Sequence, residues 1–171
     1  MSAAERIEPF DKQHDVRGFD CGQPSLDRWL VQYASQGERR NTARTHVAVA
    51  HDGAVVGYYS IVASEIKQTE ATAAVKRGTS PHFPIPACLI TRLAVDRRHQ
   101  GHKVGAKLLL DAARRVVLVG QHVGIRAIAV SAIDANAASF YRHFAFDPID
   151  VDQRKLMVAL ATIETIAGPA R

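Results

Sequence analysis

The residues whose types and spacing could do chemistry lie between Leu89 and Leu110, in the stretch LITRLAVDRRHQGHKVGAKLLL. Its order predicts a buried strand, a loop containing Gly101 and Gly105, and the first turns of a helix. At such a helix start several backbone N–H groups lack intrahelical partners and point the same way, with the positive end of the helix dipole behind them. This arrangement binds anions, above all phosphates.

Positive side chains in the same loop strengthen this prediction. They are Arg97, Arg98, His102 and Lys103. We therefore expect a phosphorylated ligand, and a tight strand-to-helix turn with a solvated basic face is the alternative that the loop alone leaves open. A metal site at the histidine pair His99 and His102 would need further ligands that the loop lacks, so we expect no metal.

Composition indicates one ordinary globular domain over residues 1–171. The chain has 171 residues, of which 47% are hydrophobic and 23% charged, and a formal net charge of +5. No apolar run approaches about 18 to 20 residues and the first residues carry acids, so we expect no membrane span, no signal peptide and a cytoplasmic location. The two cysteines, Cys21 and Cys88, lack metal spacing and are expected to be reduced thiols.

The elements before the loop follow from apolar periodicity and turn residues. Residues 5–10 predict a first strand, and Ser25 behind Pro24 predicts the N-cap of a helix. This helix has one apolar face, expected in the core rather than as a stacking platform. The residues of that face are Leu26, Trp29, Leu30 and Tyr33.

Two β-rich runs, residues 45–50 and 54–66, flank Asp52-Gly53 and predict a hairpin with a type I′ turn. Gly57 inside the second run predicts a bulge or a close backbone approach. Residues 67–86 contain glycine and prolines and predict a long loop with one helical turn, which would border the functional site.

A strand, helix and strand follow one another through the second half of the chain. The helix covers residues 106–119 and the next strand residues 125–131, so this strand should lie parallel to residues 89–95 in one sheet. The helix turns six apolar side chains inward: Leu108, Leu109, Ala112, Ala113, Val116 and Val117. Asp134 or Asn136 then caps a helix over residues 137–144, and residues 155–163 predict a last strand.

The basic loop also resembles that of a known family. GNAT N-acetyltransferases have a pyrophosphate loop, Gln/Arg-x-x-Gly-x-Gly/Ala, after a strand ending in Leu-Ala-Val-Asp. Leu93–Asp96 match the strand ending and residues 100–105 match the loop, with Lys103 in place of the first glycine. A motif starting at Arg98 aligns Gly101 instead and leaves Lys103 at the final small position. Lys103 keeps its N–H donor, but a positive φ there would cost about 1 to 2 kcal/mol.

Two further blocks extend the resemblance to about residues 19–163. DANAASFYRHFAFDP, at residues 134–148, is similar to the GNAT pattern Asn/Asp-x-x-Ala-x-x-Phe/Leu-Tyr-x-x-x-Gly-Phe, with Ala145 replacing the glycine. FDCG, PSL and WL, within residues 19–30, resemble GNAT toxins of type II toxin–antitoxin modules, as does the close of the chain, FYRHFAFDP followed by DVDQRKLMVAL.

The resemblance implies the α/β GNAT fold, a mixed and mostly antiparallel sheet with a central parallel strand pair flanked by helices, and acetyl-CoA as the cofactor. It places the Tyr141 hydroxyl beside the cofactor sulfur as a general acid, because a phenol of pKa about 10 can protonate a thiolate whose thiol has a pKa of about 8.5. A core aromatic beside Phe140 is the other interpretation of Tyr141. Backbone N–H groups of residues 93–95 would stabilise the oxyanion and pair with the pantetheine arm.

The cofactor contacts that the resemblance implies lie on the strand ending, the loop and the later helix. They are Leu93, Ala94, Val95, Arg98, Gln100, Gly101, His102, Lys103, Val104, Gly105, Ala106, Asn136 and Ser139. No general base is obvious, since Glu65, where some GNAT enzymes hold one, also fits a solvated carboxylate at a strand end. An α-amine of pKa 7.7 to 8.0 is neutral in about a tenth of molecules at pH 7, against about 0.1% for a lysine. A site without a base therefore favours the α-amine of an aminoacyl ester.

The toxin resemblance implies acetylation of the amino acid on charged tRNA, which blocks translation, and a small antitoxin that covers the basic surface. It leaves a homodimer open. Binding to tRNA phosphates requires cations, and the candidates, each of which also fits a plain surface charge, are Arg28, Arg39, Arg40, Arg44, Lys76 and Arg77. Two alternatives remain: a GNAT enzyme for a small amine or a protein N-terminus, and a non-catalytic basic binding domain whose loop is damaged at Lys103 and Ala145.

Overall fold

A computed structural model describes residues 6–150 and 152–168, which form a mixed sheet of seven strands with helices. The strands are β1 (Arg6–Pro9), β2 (Arg44–Val49), β3 (Val55–Ile66), β4 (Ile85–Val95), β5 (Ala127–Ser131), β6 (Asp147–Pro148) and β7 (Lys155–Ala159). The helices are α1 (Pro24–Gln32), α2 (Ala34–Arg40), α3 (Ala73–Lys76), α4 (Val104–Gly120), α5 (Ala135–His143) and α6 (Leu160–Ala167). None of these helices combines the length and the apolarity that crossing a bilayer requires.

The sheet order is β1-β2-β3-β4-β5-β7-β6. β4 and β5 pair in parallel, from Ala87 opposite Ala127 to Ile90 opposite Val130, while β1 with β2, β2 with β3, β5 with β7 and β6 with β7 pair antiparallel. The parallel pair requires a crossover connection, and α4 supplies it. The predicted fold class, including the central parallel pair, is therefore confirmed.

The chain divides into two compact units, each with its own core. The first combines the residues up to Val62 with Thr91–Ala112, and the second combines Ala63–Ile90 with the residues from Ala113 onward. The core of the first unit includes Phe19, Leu30, Val47, Val49 and Tyr58, and that of the second Ile66, Val75, Ile85, Ala127 and Met157. The single domain expected over residues 1–171 stays a prediction.

The start of α1 differs from the prediction. Gln23 is the N-cap, Pro24 is the first helical residue and no side chain caps the helix. Proline has no N–H to be capped and its φ suits the first helical position, so the cap moves to the residue before it and Ser25 lies inside the first turn. Leu30 is buried as expected, but Tyr33 is 47% exposed because α1 ends there and α2, which was not predicted, begins.

The hairpin between β2 and β3 forms where it was predicted, with a different turn. A type I′ turn needs positive φ at both central residues, whereas φ is positive at Gly53 (85°) and not at Asp52. The Gly53 N–H donates to Ala50 O at 3.0 Å and the Ala50 N–H to Ala54 O at 2.9 Å, which makes a three-residue loop with glycine in the left-handed position.

Gly57 combines both of the features that its place in a strand predicts. The register of β2 and β3 shifts between Ala48 and Val49, next to the pair of Ala48 with Gly57. A Cβ at Gly57 would lie 2.8 Å from Leu108 Cδ1 and 3.0 Å from Ala94 O. The close approach brings the first turns of α4 against β3.

The second half of the chain follows the predicted order until the last strand. All six inward side chains predicted for α4 are buried, and Asp134, rather than Asn136, caps α5, accepting the Ala137 N–H at 2.8 Å. The last strand ends at Ala159 instead of residue 163, because α6 begins at Leu160 and buries Leu160 and Ile163 on one face. The short strand β6 was not predicted.

The segment between β3 and β4 has more structure than a loop. A 3₁₀ turn covers Gln68–Glu70, and the one predicted helical turn is α3. The Arg126 side chain donates to Val75 O at 3.0 Å and to Arg77 O at 2.6 Å. These bonds satisfy carbonyls at the end of α3 and fix the segment within the second unit.

Candidate functional site

The basic loop lies between the end of β4 and the start of α4, as predicted. Asp96 follows the strand and caps a 3₁₀ turn at Arg97–His99, and the chain then turns through residues 100–103 into α4. Gly101 lies in the loop, but Gly105 is the second residue of α4 and not part of the loop. The predicted sequence of strand, loop and helix is therefore correct, with a helix that begins one residue before Gly105.

The backbone N–H groups of this loop fall into two sets. Those of Arg97, Arg98 and His99 donate within the first unit, and Lys107 N–H donates to Lys103 O at 3.1 Å. The backbone N–H groups of residues 100–106 donate no hydrogen bond to any residue that the structure describes. A run of unpaired N–H groups at the start of a 17-residue helix is the arrangement that binds phosphate.

Two loop residues have positive φ, and one of them is not glycine. φ is 79° at Gly101 and 64° at Lys103. The family motif has glycine at the position of Lys103, and the positive φ there explains why. The lysine keeps the N–H donor while its Cβ strains the left-handed conformation.

Replacing Lys103 by glycine is expected to raise the free energy of unfolding by about 1 kcal/mol, since it removes this strain. Lys107 is also an exposed lysine but lies inside α4. Lys107→Gly is therefore the matched control, and we expect it to lower the free energy of unfolding by about 1 kcal/mol. Denaturant unfolding of both variants measures the two effects. A destabilised Lys103→Gly variant would contradict the assignment of strain to Lys103.

Asp96 is the residue that holds the loop together. Its side chain is 1% exposed and accepts hydrogen bonds from Arg98 N at 3.0 Å, Arg98 Nε at 2.9 Å, Arg98 Nη2 at 3.0 Å and Asp20 N at 3.2 Å. The Arg98 side chain donates directly to this carboxylate, and these hydrogen bonds lower the pKa of Asp96 to about 2. Arg98, predicted to contact the cofactor, is thus already paired, although its side chain is 66% exposed.

The side chain of Gln100 also stabilises the loop through hydrogen bonds and is not free to contact a ligand. Its side-chain amide donates to Cys21 O at 3.0 Å and to Val95 O at 2.9 Å. The Arg97 N–H donates to Asp20 O at 2.8 Å. These hydrogen bonds connect the loop to residues 19–22, the segment that carries the toxin resemblance. Because its side chain is engaged in this way, Gln100 would contact a ligand through its backbone N–H.

The second group of predicted residues lies in the second unit, on α5. Tyr141 is 6% exposed and packs against Phe140, with ring centroids 5.3 Å apart, and against Phe146, at 5.5 Å. Burial raises the pKa of Tyr141 above its ordinary value. Its hydroxyl makes no hydrogen bond to any residue that the structure describes. Asn136 and Ser139 are exposed on the same helix.

The end of α5 explains the second departure from the family motif. Phe146 N–H donates to Tyr141 O at 3.2 Å and Ala145 N–H to Arg142 O at 3.1 Å, which is a Schellman motif. Its left-handed residue is Ala145, with φ of 68°. The family has glycine here because the motif needs positive φ, and the alanine keeps the same backbone hydrogen bonds at the cost of strain.

The predicted base and the predicted tRNA contacts are mostly solvated. Glu65 is exposed near the end of β3, as the alternative interpretation expects. Arg44 forms an ion pair with Glu38 at 2.7 Å. The other cations are exposed on α1, on the last turn of α2, and at the end of α3: Arg28, Arg39, Arg40, Lys76 and Arg77. Helix α2 brings Arg39 and Arg40 together in the first unit.

One feature of the first unit was missed by sequence reasoning. The Arg92 guanidinium carbon lies 4.3 Å from the centroid of the Trp29 ring, at the side of an open cleft. Arg92 was not singled out because it stands inside an apolar strand, and Trp29 and Tyr33 were assigned to the core. The signal that could have found the cleft is an arginine within a run of the sequence that is otherwise largely apolar.

Comparison with known proteins agrees with the loop geometry. Residues 43–148 match the model of the acetyltransferase (GNAT) domain family. A tRNA-acetylating toxin of Mycobacterium tuberculosis is 36% identical over 167 residues, which cover 98% of this chain and 97% of that protein.

Two solved structures of the toxin AtaT have the same fold. One is AtaT complexed with acetyl-methionyl-tRNAfMet, with a TM-score of 0.85, 27% identity, and coverage of 94% of this chain and 98% of that one. The other is a tyrosine-to-phenylalanine mutant of AtaT bound to the C-terminus of the antitoxin AtaR and acetyl-CoA, with a TM-score of 0.81, 26% identity, and coverage of 96% and 98%. The predicted family is confirmed: this chain belongs to the GNAT acetyltransferase family.

Proposed function

We propose that this protein transfers the acetyl group of acetyl-CoA to the α-amine of the amino acid on charged tRNA, and so acts as a toxin that blocks translation. The observation that carries the proposal is the run of N–H groups at residues 100–106 without a partner among the described residues, in a chain that matches a tRNA-acetylating toxin over 98% of its length. The loop fits a diphosphate, and the full-length match points to the acceptor.

The residues of the first unit fit coenzyme A by their chemistry. The N–H groups of residues 100–106 would hold the diphosphate, with the exposed side chains of His102 and Lys103 adding positive charge. The backbone of Leu93–Val95 would pair with the pantetheine arm. When bound, acetyl-CoA supplies an activated acetyl group as a thioester. Asn136 and Ser139 are proposed as further contacts from the second unit.

Tyr141 is proposed as the general acid. A group with this role must carry its proton at neutral pH, and the raised pKa of the buried phenol ensures that it does. Its hydroxyl is not engaged by another described residue, so it remains available to donate. The relative AtaT has been solved as a tyrosine-to-phenylalanine mutant bound to acetyl-CoA, so a substitution of this kind is compatible with acetyl-CoA binding in AtaT.

The acceptor follows from the shortage of bases. Glu65 is exposed near the end of β3 and is the one carboxylate considered as a base. An aminoacyl ester has an α-amine that is already neutral in a substantial fraction of molecules at pH 7. AtaT has been solved with acetyl-methionyl-tRNAfMet, which is the product expected of such an acceptor.

The proposed partners follow from charge. The exposed arginines of α1 and α2 would meet tRNA phosphates, with an affinity that falls as salt is added. A small antitoxin that folds over this basic surface would block the same contacts, in keeping with the AtaT complex with AtaR. We place the protein in the cytoplasm, where charged tRNA is used.

The test incubates the protein with labelled acetyl-CoA and a mixture of charged tRNAs. We expect label in the tRNA fraction that mild alkali releases as an N-acetyl amino acid, because alkali cleaves the aminoacyl ester but not the amide. Deacylated tRNA is the control and should remain unlabelled. Label on polyamines or peptides and none on charged tRNA would favour the GNAT enzyme of a small amine or a protein N-terminus. No binding of acetyl-CoA at all would favour the non-catalytic domain.

A further inference from the structure

An open cleft in the first unit has a chemistry that the acetyl-CoA loop does not explain. Its volume is about 440 Å³, within the size of small-ligand sites. The residues that line it come from α1, α2, the turn after α2, β3 and β4: Trp29, Tyr33, Gln36, Gly37, Arg40, Thr42, Ala43, Val62 and Arg92. They include two arginines and two aromatic rings but no carboxylate.

Arg92 is a cation without a counter-ion in this cleft. It is half-buried in β4, and within the described part of the chain it has neither an ion pair nor a hydrogen bond to its guanidinium. Burial lowers the pKa of Arg92, since the guanidinium has lost part of its hydration. The centroid of the Trp29 ring lies 4.3 Å from its guanidinium carbon. A partly dehydrated arginine of this kind favours an anionic ligand such as phosphate.

The aromatic side of the cleft is held in place. Trp29 stacks on Tyr58, with centroids 5.9 Å apart and an interplanar angle of 11°. The Tyr58 hydroxyl donates to Leu26 O at 2.8 Å, so the stack is anchored to α1. Tyr33, one turn further along, is 47% exposed at the cleft. An exposed aromatic ring beside arginines that form no ion pair with any described residue is the combination that binds a base and its phosphate.

The cleft also lies beside the proposed path of the pantetheine arm. Arg92 immediately precedes Leu93–Val95 on β4, and it is four residues from Asp96, about 13 Å along a strand. A ligand seated at Arg92 would therefore lie at the far end of the arm from the diphosphate loop. This is the end at which an acceptor is needed.

We propose that this cleft binds the 3′-terminal nucleotide of charged tRNA, with the base stacked on Tyr33 and the phosphate held by Arg92 and Arg40. The inference rests on the proposed function, because the terminal nucleotide carries the aminoacyl ester. It adds the residues that position the acceptor.

Trp29 makes the inference measurable without turnover, because it is the single tryptophan of the chain. Titrating the full-length protein with the trinucleotide CCA should change the Trp29 fluorescence saturably. Tyr33→Ala and Arg92→Gln are expected to weaken binding at least 10-fold, since each removes one of the two contacts. Tyr33→Phe keeps the ring and is the matched control, expected to bind as the wild type does. Thermal melts check that each variant is folded.

The outcomes separate the inference from the proposed function. In the acetylation assay the same two variants should raise the KM for charged tRNA at least 10-fold and leave the KM for acetyl-CoA unchanged. If charged tRNA is acetylated but CCA does not change the fluorescence, or folded Tyr33→Ala and Arg92→Gln bind it as well as the wild type, the inference is wrong and the proposed function stands. If charged tRNA is not acetylated, the proposed function is wrong.

Discussion

Replacing Tyr141 by phenylalanine is expected to lower the rate of acetyl transfer about 100-fold and to leave the affinity for acetyl-CoA nearly unchanged. A loss of this size is typical of removing a general acid, because the departing thiolate would then have to take its proton from water. The fold should not suffer, because the hydroxyl makes no hydrogen bond to another described residue and both rings that pack against Tyr141 stay in contact with phenylalanine.

Steady-state kinetics and calorimetric titration with acetyl-CoA measure the two parts of this prediction. Tyr33→Phe is the control, because it removes the hydroxyl of an exposed tyrosine and keeps the ring that is proposed to stack on the base. This variant should keep the wild-type rate of acetyl transfer. A Tyr141→Phe variant as active as the wild type would remove Tyr141 from the mechanism. A loss of rate that came with a large loss of acetyl-CoA affinity would assign Tyr141 to binding instead.

Replacing Asp96 by alanine is expected to lower the free energy of unfolding by about 3 kcal/mol, because it leaves the Arg98 and Asp20 N–H groups without their acceptor. For a chain of this length the melting temperature should fall by about 10 °C. Acetyl-CoA affinity should fall as well, because the carboxylate fixes the turn that leads into residues 100–106. Thermal unfolding and calorimetric titration with acetyl-CoA measure the two effects.

The chain offers a close control for this variant. Asp15 accepts from Arg17 N, Nε and Nη2 as Asp96 does from Arg98, but the Asp15 side chain is 61% exposed. Asp15→Ala should therefore have no measurable effect on stability, since an exposed pair is solvated in either state. Equal losses from both variants would mean that the buried network at Asp96 contributes nothing beyond a surface ion pair.

The lowered pKa gives Asp96 a signature in acid. Its folded pKa of about 2 lies below the ordinary value of 3.8, so its stabilisation is fully present above about pH 4 and is lost as the pH falls toward 2. By pH 3 the wild type should have lost about 1 kcal/mol from this group. Asp96→Asn cannot titrate, so the difference in stability between the two proteins should shrink by that amount between pH 6 and pH 3.

Much of the fold was predictable because local signals agreed with the tertiary structure. The apolar periodicity of α4 named six inward residues, and all six are buried. The apolar runs on either side of that helix made a parallel pair the natural arrangement. Asp134 is the N-cap of α5, one of the two candidates predicted from the sequence. Asp52-Gly53 correctly predicted the position of the hairpin, although the predicted turn type was wrong.

The errors have physical causes. A continuous apolar run does not distinguish a strand from a buried helix, so the boundary at Leu160 between β7 and α6 was invisible in LMVALATI. The turn type depends on which residues adopt positive φ. In the hairpin, Gly53 has positive φ and Asp52 does not. Tyr33 looks like a core residue by its spacing from Trp29, and its exposure follows from the break between α1 and α2.

The candidate site was predictable in its loop and not in its cleft. The spacing of glycine, cations and apolar runs was enough to place unpaired N–H groups at the start of α4. It was not enough to find that Gln100 and Asp96 turn inward to brace residues 20–21, because these contacts join residues far apart in the chain. The cleft at Arg92 depends likewise on β4 meeting α1, which no local pattern reports.

A crystal structure of the protein with coenzyme A would show directly whether residues 100–106 bind the diphosphate. We expect the diphosphate within hydrogen-bond distance of the backbone N–H groups of residues 100–106, with the side chain of Lys103 turned aside and the thiol at the Tyr141 hydroxyl. A structure that showed coenzyme A bound elsewhere, or the turn closed by the lysine, would contradict it.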